Sequence, residues 1–331
     1  MREQLNRAEG CLFGGAVGDA MGMPASFMTR RQIKSTYGYI KDFLPPDPGI
    51  QNVHTGLREG DITDDTYESL IVARVLVENK GFHEKEFYRL MKEWAIENSM
   101  LESDVIGPNT RKFLTALIAN IDPKEGSRMG DTNGSAMRVA PVGIYYWKDP
   151  QACMKAAAAS SMPSHGSSPA VAAAVAVAMA CGAGIRGDST PEQIMEEAIR
   201  GAEYGEKVGY DIPAPSVSMR IRYAKEAVDG MKGHPMSHII DRLAGVLGAG
   251  MKAYESIPLA LGIFYAAKGD PKIGIPAAVN AGDDADTNGA ICGAICGAYS
   301  GIQAIPGQWT CRVNIGVEND LRALGQALLG G

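Results

Sequence analysis

Two acidic clusters, more than 200 residues apart, carry the side chains whose type and spacing could do chemistry. They are Gly60-Asp61-Ile62-Thr63-Asp64-Asp65-Thr66 and Asn280-Ala281-Gly282-Asp283-Asp284-Ala285-Asp286-Thr287-Asn288-Gly289, each directly before a helical segment. Helix capping explains one or two such residues per helix. Asp and Thr accept hydrogen bonds from the free N–H groups of a first turn, and carboxylates suit the dipole there. Capping does not explain several carboxylates packed together, whose repulsion needs an offset. A divalent cation supplies one, because carboxylates and Thr hydroxyls are hard oxygen ligands suited to Mg²⁺ or Mn²⁺. Spacing alone leaves both readings open.

Other candidates weigh less. His234 and His238 have the i, i+4 spacing of a metal pair, but they lie in a Gly/Pro-bearing stretch without a third ligand, which favours a solvated surface. Cys292 and Cys296 share that spacing on an Ala/Gly/Ile segment, where core packing is the better account. Asp19 stands among small residues and reads as an interior cap or hydrogen-bond acceptor.

The elements that must position these residues are helices. Apolar residues recur at helical spacing in 66–79, 85–98, 155–159, 171–180, 257–267, 290–305 and 320–329, and strand alternation is scarce. Gly14, Gly15, Gly18 and Gly22 recur inside one apolar stretch. In a helix each costs roughly 1 kcal/mol relative to Ala, so close backbone packing is expected to compensate. No exact repeat and no long linker divides the chain. The expected organisation is one all-α domain over 1–331, with a surface excursion around 203–245, where Pro213, Pro215 and Pro235 fall. The run from Pro169 to Ile185 is slightly short and weakly hydrophobic for a membrane span, and reads as a buried helix.

Composition bounds the remainder. Of 331 residues 45% are hydrophobic and 21% charged, which excludes a disordered tail and allows a large core. The net charge is −6 with no long basic run, so neither a nucleic acid nor a membrane is an expected partner. The six cysteines form no CxxC pair, and the polar N-terminus lacks an apolar signal core. Both point to a reducing, cytoplasmic compartment.

Several ordered landmarks extend the two acidic motifs. These are Gly14-Gly15-Ala16-Val17-Gly18-Asp19-Ala20-Met21-Gly22-Met23-Pro24, Thr63-Asp64-Asp65-Thr66, Asn133-Gly134-Ser135-Ala136-Met137-Arg138-Val139-Ala140-Pro141, Ser164-His165, Glu255-Ser256-Ile257-Pro258-Leu259-Ala260-Leu261 and Asp284-Ala285-Asp286-Thr287. With them, residues 8–309 resemble the ADP-ribosylglycohydrolase family. The resemblance implies a compact multi-helix all-α bundle with two divalent cations, Mg²⁺ or Mn²⁺, at the base of a cleft. It places metal ligands on Thr63, Asp64, Asp65, Asp284, Asp286 and Thr287; of these carboxylates Asp65, with Asp64 beside it, is the candidate to take the proton of a metal-activated water. It also places substrate contacts on Asn133, Gly134, Ser135, His165 and position 251. For Arg138 a buried structural ion pair is favoured over ligand contact.

Three positions depart from the family pattern. Ser26 stands where the family commonly carries a Glu, and a hydroxyl cannot serve as a carboxylate base. Met251 stands where an aromatic often stacks on the ligand, and a thioether makes looser contact with a flat ring. Asp283 adds a carboxylate to the second motif. The implied function is a dimetal-dependent glycohydrolase that cleaves an ADP-ribosyl bond on a protein or small acceptor. Two alternatives remain: the same chemistry on a smaller N-ribosyl compound, nucleoside or nucleotide, and a non-catalytic binding or structural protein.

Overall fold

Local capping signals explain where many of the helices begin. Thr29 and Thr190 form capping boxes with Gln32 and Gln193, and Asp149, Asp270 and Asp320 accept from first-turn N–H groups. The computed structural model describes residues 2–330 apart from 52, 317 and 318. In chain order its first nine α-helices are α1 (Arg2–Gly22), α2 (Arg30–Thr36), α3 (Asp64–Asn79), α4 (Glu84–Glu97), α5 (Pro108–Ile118), α6 (Lys124–Ser127), α7 (Gly134–Met137), α8 (Ala140–Tyr145) and α9 (Pro150–Ser161). They continue with α10 (Ser168–Arg186), α11 (Pro191–Val208), α12 (Val217–Asp229), α13 (Met236–Leu247), α14 (Ala253–Ala266), α15 (Pro271–Val279), α16 (Ala285–Ser300), α17 (Gly307–Arg312) and α18 (Leu321–Leu329). Among the described residues β-structure is limited to isolated bridges. The molecule is helical, as the periodicity implies.

Helix α10 is long and apolar enough to cross a membrane, yet it is almost wholly buried inside the protein. It packs on α8, α9, α11 and α16. The 203–245 stretch contains the end of α11, α12 and most of α13. Helices α12 and α13 bury Ile221, Ala224, Ile240 and Leu243 and pack on α14.

The seam between α1 and α16 does most to place the site. Gly10, Gly14 and Gly18 of α1 face Gly297, Gly293 and Gly289 of α16 in antiparallel order, and a Cβ at any of the six would collide with the opposing backbone. Gly22 closes the row against Ala285 and Asp286. Helices touching through backbone alone approach closer than side chains normally permit. Gly15 lies off this row, where an added Cβ would make only ordinary contacts with Ala294 and Ala290. The last turn of α1 is thereby pressed against the first turn of α16, where the second acidic motif begins.

Candidate metal centre

The first motif is organised by Asp19. This carboxylate, on the last turns of α1, accepts from the Thr63 N–H (3.0 Å), the Thr63 hydroxyl (2.8 Å) and the Thr66 hydroxyl (2.5 Å). Thr63 in turn caps α3, accepting from the Asp65 N–H at 3.3 Å. Asp19 is fully buried, and burial raises its pKa to about 6 despite these hydrogen bonds. Its role is the interior acceptor that its small neighbours indicate. It fixes the loop from which Asp64 and Asp65 project.

The second motif is the start of α16, with Asp284 in the capping position and Asp286 and Thr287 in the first turn. The Thr287 hydroxyl donates to Asp65 Oδ1 at 3.2 Å, joining the two motifs directly. Asn133 Nδ2 donates to Asp284 Oδ2 (2.6 Å) and to the Ser256 hydroxyl (3.1 Å). The loop before α14 is tied to the same place, because the Asp284 N–H and Asn288 Nδ2 both donate to the Ala249 carbonyl. The Asn133 N–H donates to the Met251 carbonyl at 2.9 Å, so Met251 has a backbone role independent of its side chain.

Asp64, Asp65, Asp284, Asp286 and Thr287 line one cavity, and Asn133, Gly134, His165 and Met251 line it with them. Thr63 and Ser135 lie behind its wall, where the Ser135 hydroxyl accepts from Ser161 at 2.7 Å. A Cβ on Gly134 would come within 2.8 Å of His165 Nε2, which accounts for glycine there. His165 is buried between Ser164 (2.7 Å) and Thr132 (3.1 Å). Burial, with nearby Arg138 second, holds its pKa well below the usual value, so the ring is neutral. Arg138 is fully buried, pairs with Glu68 at 2.5 Å, donates to Ser164 at 2.7 Å and stacks over Phe87. It is a structural ion pair joining the Asn133–Arg138 loop to α3.

One participant gave no signal in the sequence. His54 is buried, and its Nε2 lies 3.1 Å from Asp286 Oδ2. Gln51 sets it in place, accepting from the His54 N–H (2.9 Å) while its own amide donates to the Met23 carbonyl (2.8 Å). A lone histidine in an irregular loop has neither periodicity nor ligand spacing to mark it. The set-aside residues fall where bland roles put them: Cys292 and Cys296 are buried in the core, and His234 and His238 are exposed.

The electrostatics are those of crowded acids. Burial pushes Asp64, Asp65 and Asp284 well above the usual carboxylate range, and neighbouring carboxylates add to it. Burial acts on Asp286 in the same sense, but the contacts with His54, Ser26 and the Thr287 backbone together outweigh it and leave this group below the usual range. Among the described residues no three His, Cys, Asp or Glu side chains already converge as a ligand set. The fit to a cation rests on unpaired oxygen atoms instead. Asp65 Oδ2 and Asp286 Oδ1 are buried without a hydrogen-bond partner, a costly condition that a divalent ion would relieve at both. Ser26, fully buried, lies beside Asp286, and its hydroxyl has no partner of standard geometry.

A sequence profile of the ADP-ribosylglycohydrolase family matches residues 1–331. The chain belongs to the ADP-ribosylglycohydrolase family. It is 33% identical over 299 residues to an uncharacterized protein of Archaeoglobus fulgidus, covering 90% of this chain and 88% of that one. It is 26% identical over 335 residues to the ADP-ribosylhydrolase ARH3 of Bos taurus, covering 92% of this chain and 88% of the relative. A solved structure described as an ADP-ribosylglycohydrolase-related protein complex superposes with a TM-score of 0.73 at 27% identity, covering 100% of this chain and 99% of the other. As a member of the ADP-ribosylglycohydrolase family, the chain is a hydrolase acting on ribosyl bonds.

Proposed function

We propose that this protein is a dimetal-dependent glycohydrolase that releases ADP-ribose from a protein or a small acceptor. The observation that carries the reading is the meeting of four buried carboxylates from opposite ends of the chain, two of them with unpaired buried oxygens. Thr63, Asp64, Asp65, Asp284, Asp286 and Thr287 are the residues that would hold two divalent ions, Mg²⁺ or Mn²⁺. Such ions polarise a water molecule and stabilise the charge of an oxocarbenium-like transition state at the ribosyl carbon.

The chain's own groups have defined tasks in this reading. Thr287 holds Asp65 at Oδ1, and this carboxylate, besides serving as a ligand, is the group that would accept the proton of the attacking water. Asp64 stands next to it in the same turn. His54 orients Asp286, and Asn133 orients Asp284. Gly134 leaves room beside His165, whose neutral ring, held at both nitrogens by Ser164 and Thr132, forms that wall without adding charge.

A smaller N-ribosyl substrate is the second reading, and Met251 in a position lining the cavity is the observation that favours it. The test is release of free ADP-ribose from an ADP-ribosylated protein, measured with Mg²⁺, with Mn²⁺ and in excess EDTA. Metal-dependent release is expected. Hydrolysis of a nucleoside or nucleotide, without ADP-ribose release, would select the second reading.

A further inference from the structure

A chain of buried polar groups ends at the cavity wall, and its first member fixes the direction of every hydrogen bond in it. Arg138 can only donate, and its Nη2 donates to the Ser164 hydroxyl at 2.7 Å. Among the described residues Ser164 Oγ has one other hydrogen-bonding neighbour, His165 Nδ1 at 2.7 Å. The Ser164 proton therefore goes to Nδ1, and the neutral ring carries its own proton on Nε2. In the opposite tautomer Nδ1 and Arg138 would both donate to Ser164. A hydroxyl proton in the core would then have no acceptor, a costly condition.

Nε2 donates to the Thr132 hydroxyl oxygen at 3.1 Å, and Asn109 Nδ2 donates to the same oxygen at 2.9 Å. Both lone pairs of Thr132 Oγ1 are thereby occupied, so its own proton must be given elsewhere. Among the described residues no group accepts it. Thr132 lines the cavity beside the carboxylates, where the free space is about 50 Å³, room for one or two water molecules. The residue cannot easily turn away. On either side of it the Asn133 N–H donates to the Met251 carbonyl and the Ala253 N–H to the Asp131 carbonyl, and Lys252 pairs with Asp131 at 2.7 Å.

We infer that the Thr132 hydroxyl is a specificity-determining donor, aimed at an acceptor oxygen in the ribosyl half of the bound substrate. His165, with both nitrogens engaged, acts through Thr132 and is a positioning residue, as are Ser164 and Asn109. The identity of the ligand rests on the hydrolase reading above, whereas the direction of the chain is a property of the free protein.

Two measurements on the full-length protein test this. The first is the ¹⁵N spectrum of the imidazole rings, with His165 identified among the five histidines by its loss in His165→Asn. A proton on Nε2 is expected; a bare Nε2 would mean that Thr132 donates to the ring, and would overturn the inference. The second titrates ADP-ribose and ribose 5-phosphate in the presence of Mg²⁺ by calorimetry. Thr132→Val keeps the shape and removes the hydroxyl, and Thr132→Ser keeps the hydroxyl. Thr132→Val should weaken both ligands about tenfold while the His165 tautomer stays as Ser164 sets it, and Thr132→Ser should stay within about threefold of wild type. Unchanged binding in Thr132→Val, a loss confined to ADP-ribose, or no binding of either ligand by the wild type would overturn the donor role. Release of ADP-ribose from an ADP-ribosylated protein is scored separately. Its absence, with the spectrum and both titrations as expected, would fail the hydrolase reading alone.

Discussion

The α1–α16 seam and the mouth of the cavity are built on opposite terms. At the seam six glycines bring two helices into backbone contact, and the carboxylates placed by it are buried and fixed by hydrogen bonds from Thr63, Thr66, Thr287, Asn133 and His54. At the mouth, Phe27 and Asp283 hold exposed side chains on left-handed backbone. The family's acidic positions are intact on the seam side. Of the three departures, Ser26 is buried beside Asp286, Met251 lines the cavity and Asp283 is exposed outside it. The seam tolerates no added volume, whereas the exposed mouth does; on the proposed function the first would carry the reaction and the second the choice of substrate.

The largest effect should come from breaking the floor itself. Asp65→Asn or Asp286→Asn should lower hydrolysis by about three orders of magnitude, several kcal/mol of barrier at about 1.4 kcal/mol per tenfold, with helical circular dichroism unchanged. Near-wild-type turnover in either variant would detach these carboxylates from the chemistry. Arg138→Ala tests the floor's support rather than its chemistry. It strands Glu68 without its partner in the core, and chemical denaturation should show a loss of about 3–5 kcal/mol. Gly18→Ala tests the seam. Its methyl group would meet the Gly289 backbone, so a cost of about 3 kcal/mol is expected, whereas Gly15→Ala should be nearly neutral or mildly stabilising. Equal effects at the two positions would remove the seam from the account.

That pair of glycines also shows how far the sequence can be read. The recurrence at 14, 15, 18 and 22 announces close packing, but deciding that Gly15 is off the row needs the partner helix, whose glycines begin beyond position 288. Both acidic motifs and their helices are legible because carboxylate crowding and capping are local signals. His54 is not, because its meaning depends on Asp286 at the other end of the chain. Asp19 is legible only as a buried acceptor, since the groups that donate to it belong to a different segment. Pairing between distant segments is what local pattern does not encode.

At the mouth the expected effects are smaller. If adenine lies against position 251, Met251→Tyr should tighten ADP-ribose binding by up to about 1–3 kcal/mol, the worth of a base–aromatic stack, and leave ribose 5-phosphate unchanged. Calorimetry with both ligands checks this; no gain for ADP-ribose would mean that the base is held elsewhere. Ser26→Ala should slow hydrolysis by no more than about tenfold, since a hydroxyl is not a carboxylate base and its oxygen has no partner to lose. A thousandfold loss would move Ser26 from the edge of the site into the reaction.

The central claim is that the two acidic motifs together hold divalent cations, and metal stoichiometry tests it most directly. Protein stripped with EDTA and titrated with Mn²⁺ should take up two ions per chain, and Asp286→Asn should bind fewer while remaining folded. Wild-type protein that binds no Mn²⁺ or Mg²⁺, yet releases ADP-ribose at full rate in EDTA, would contradict it.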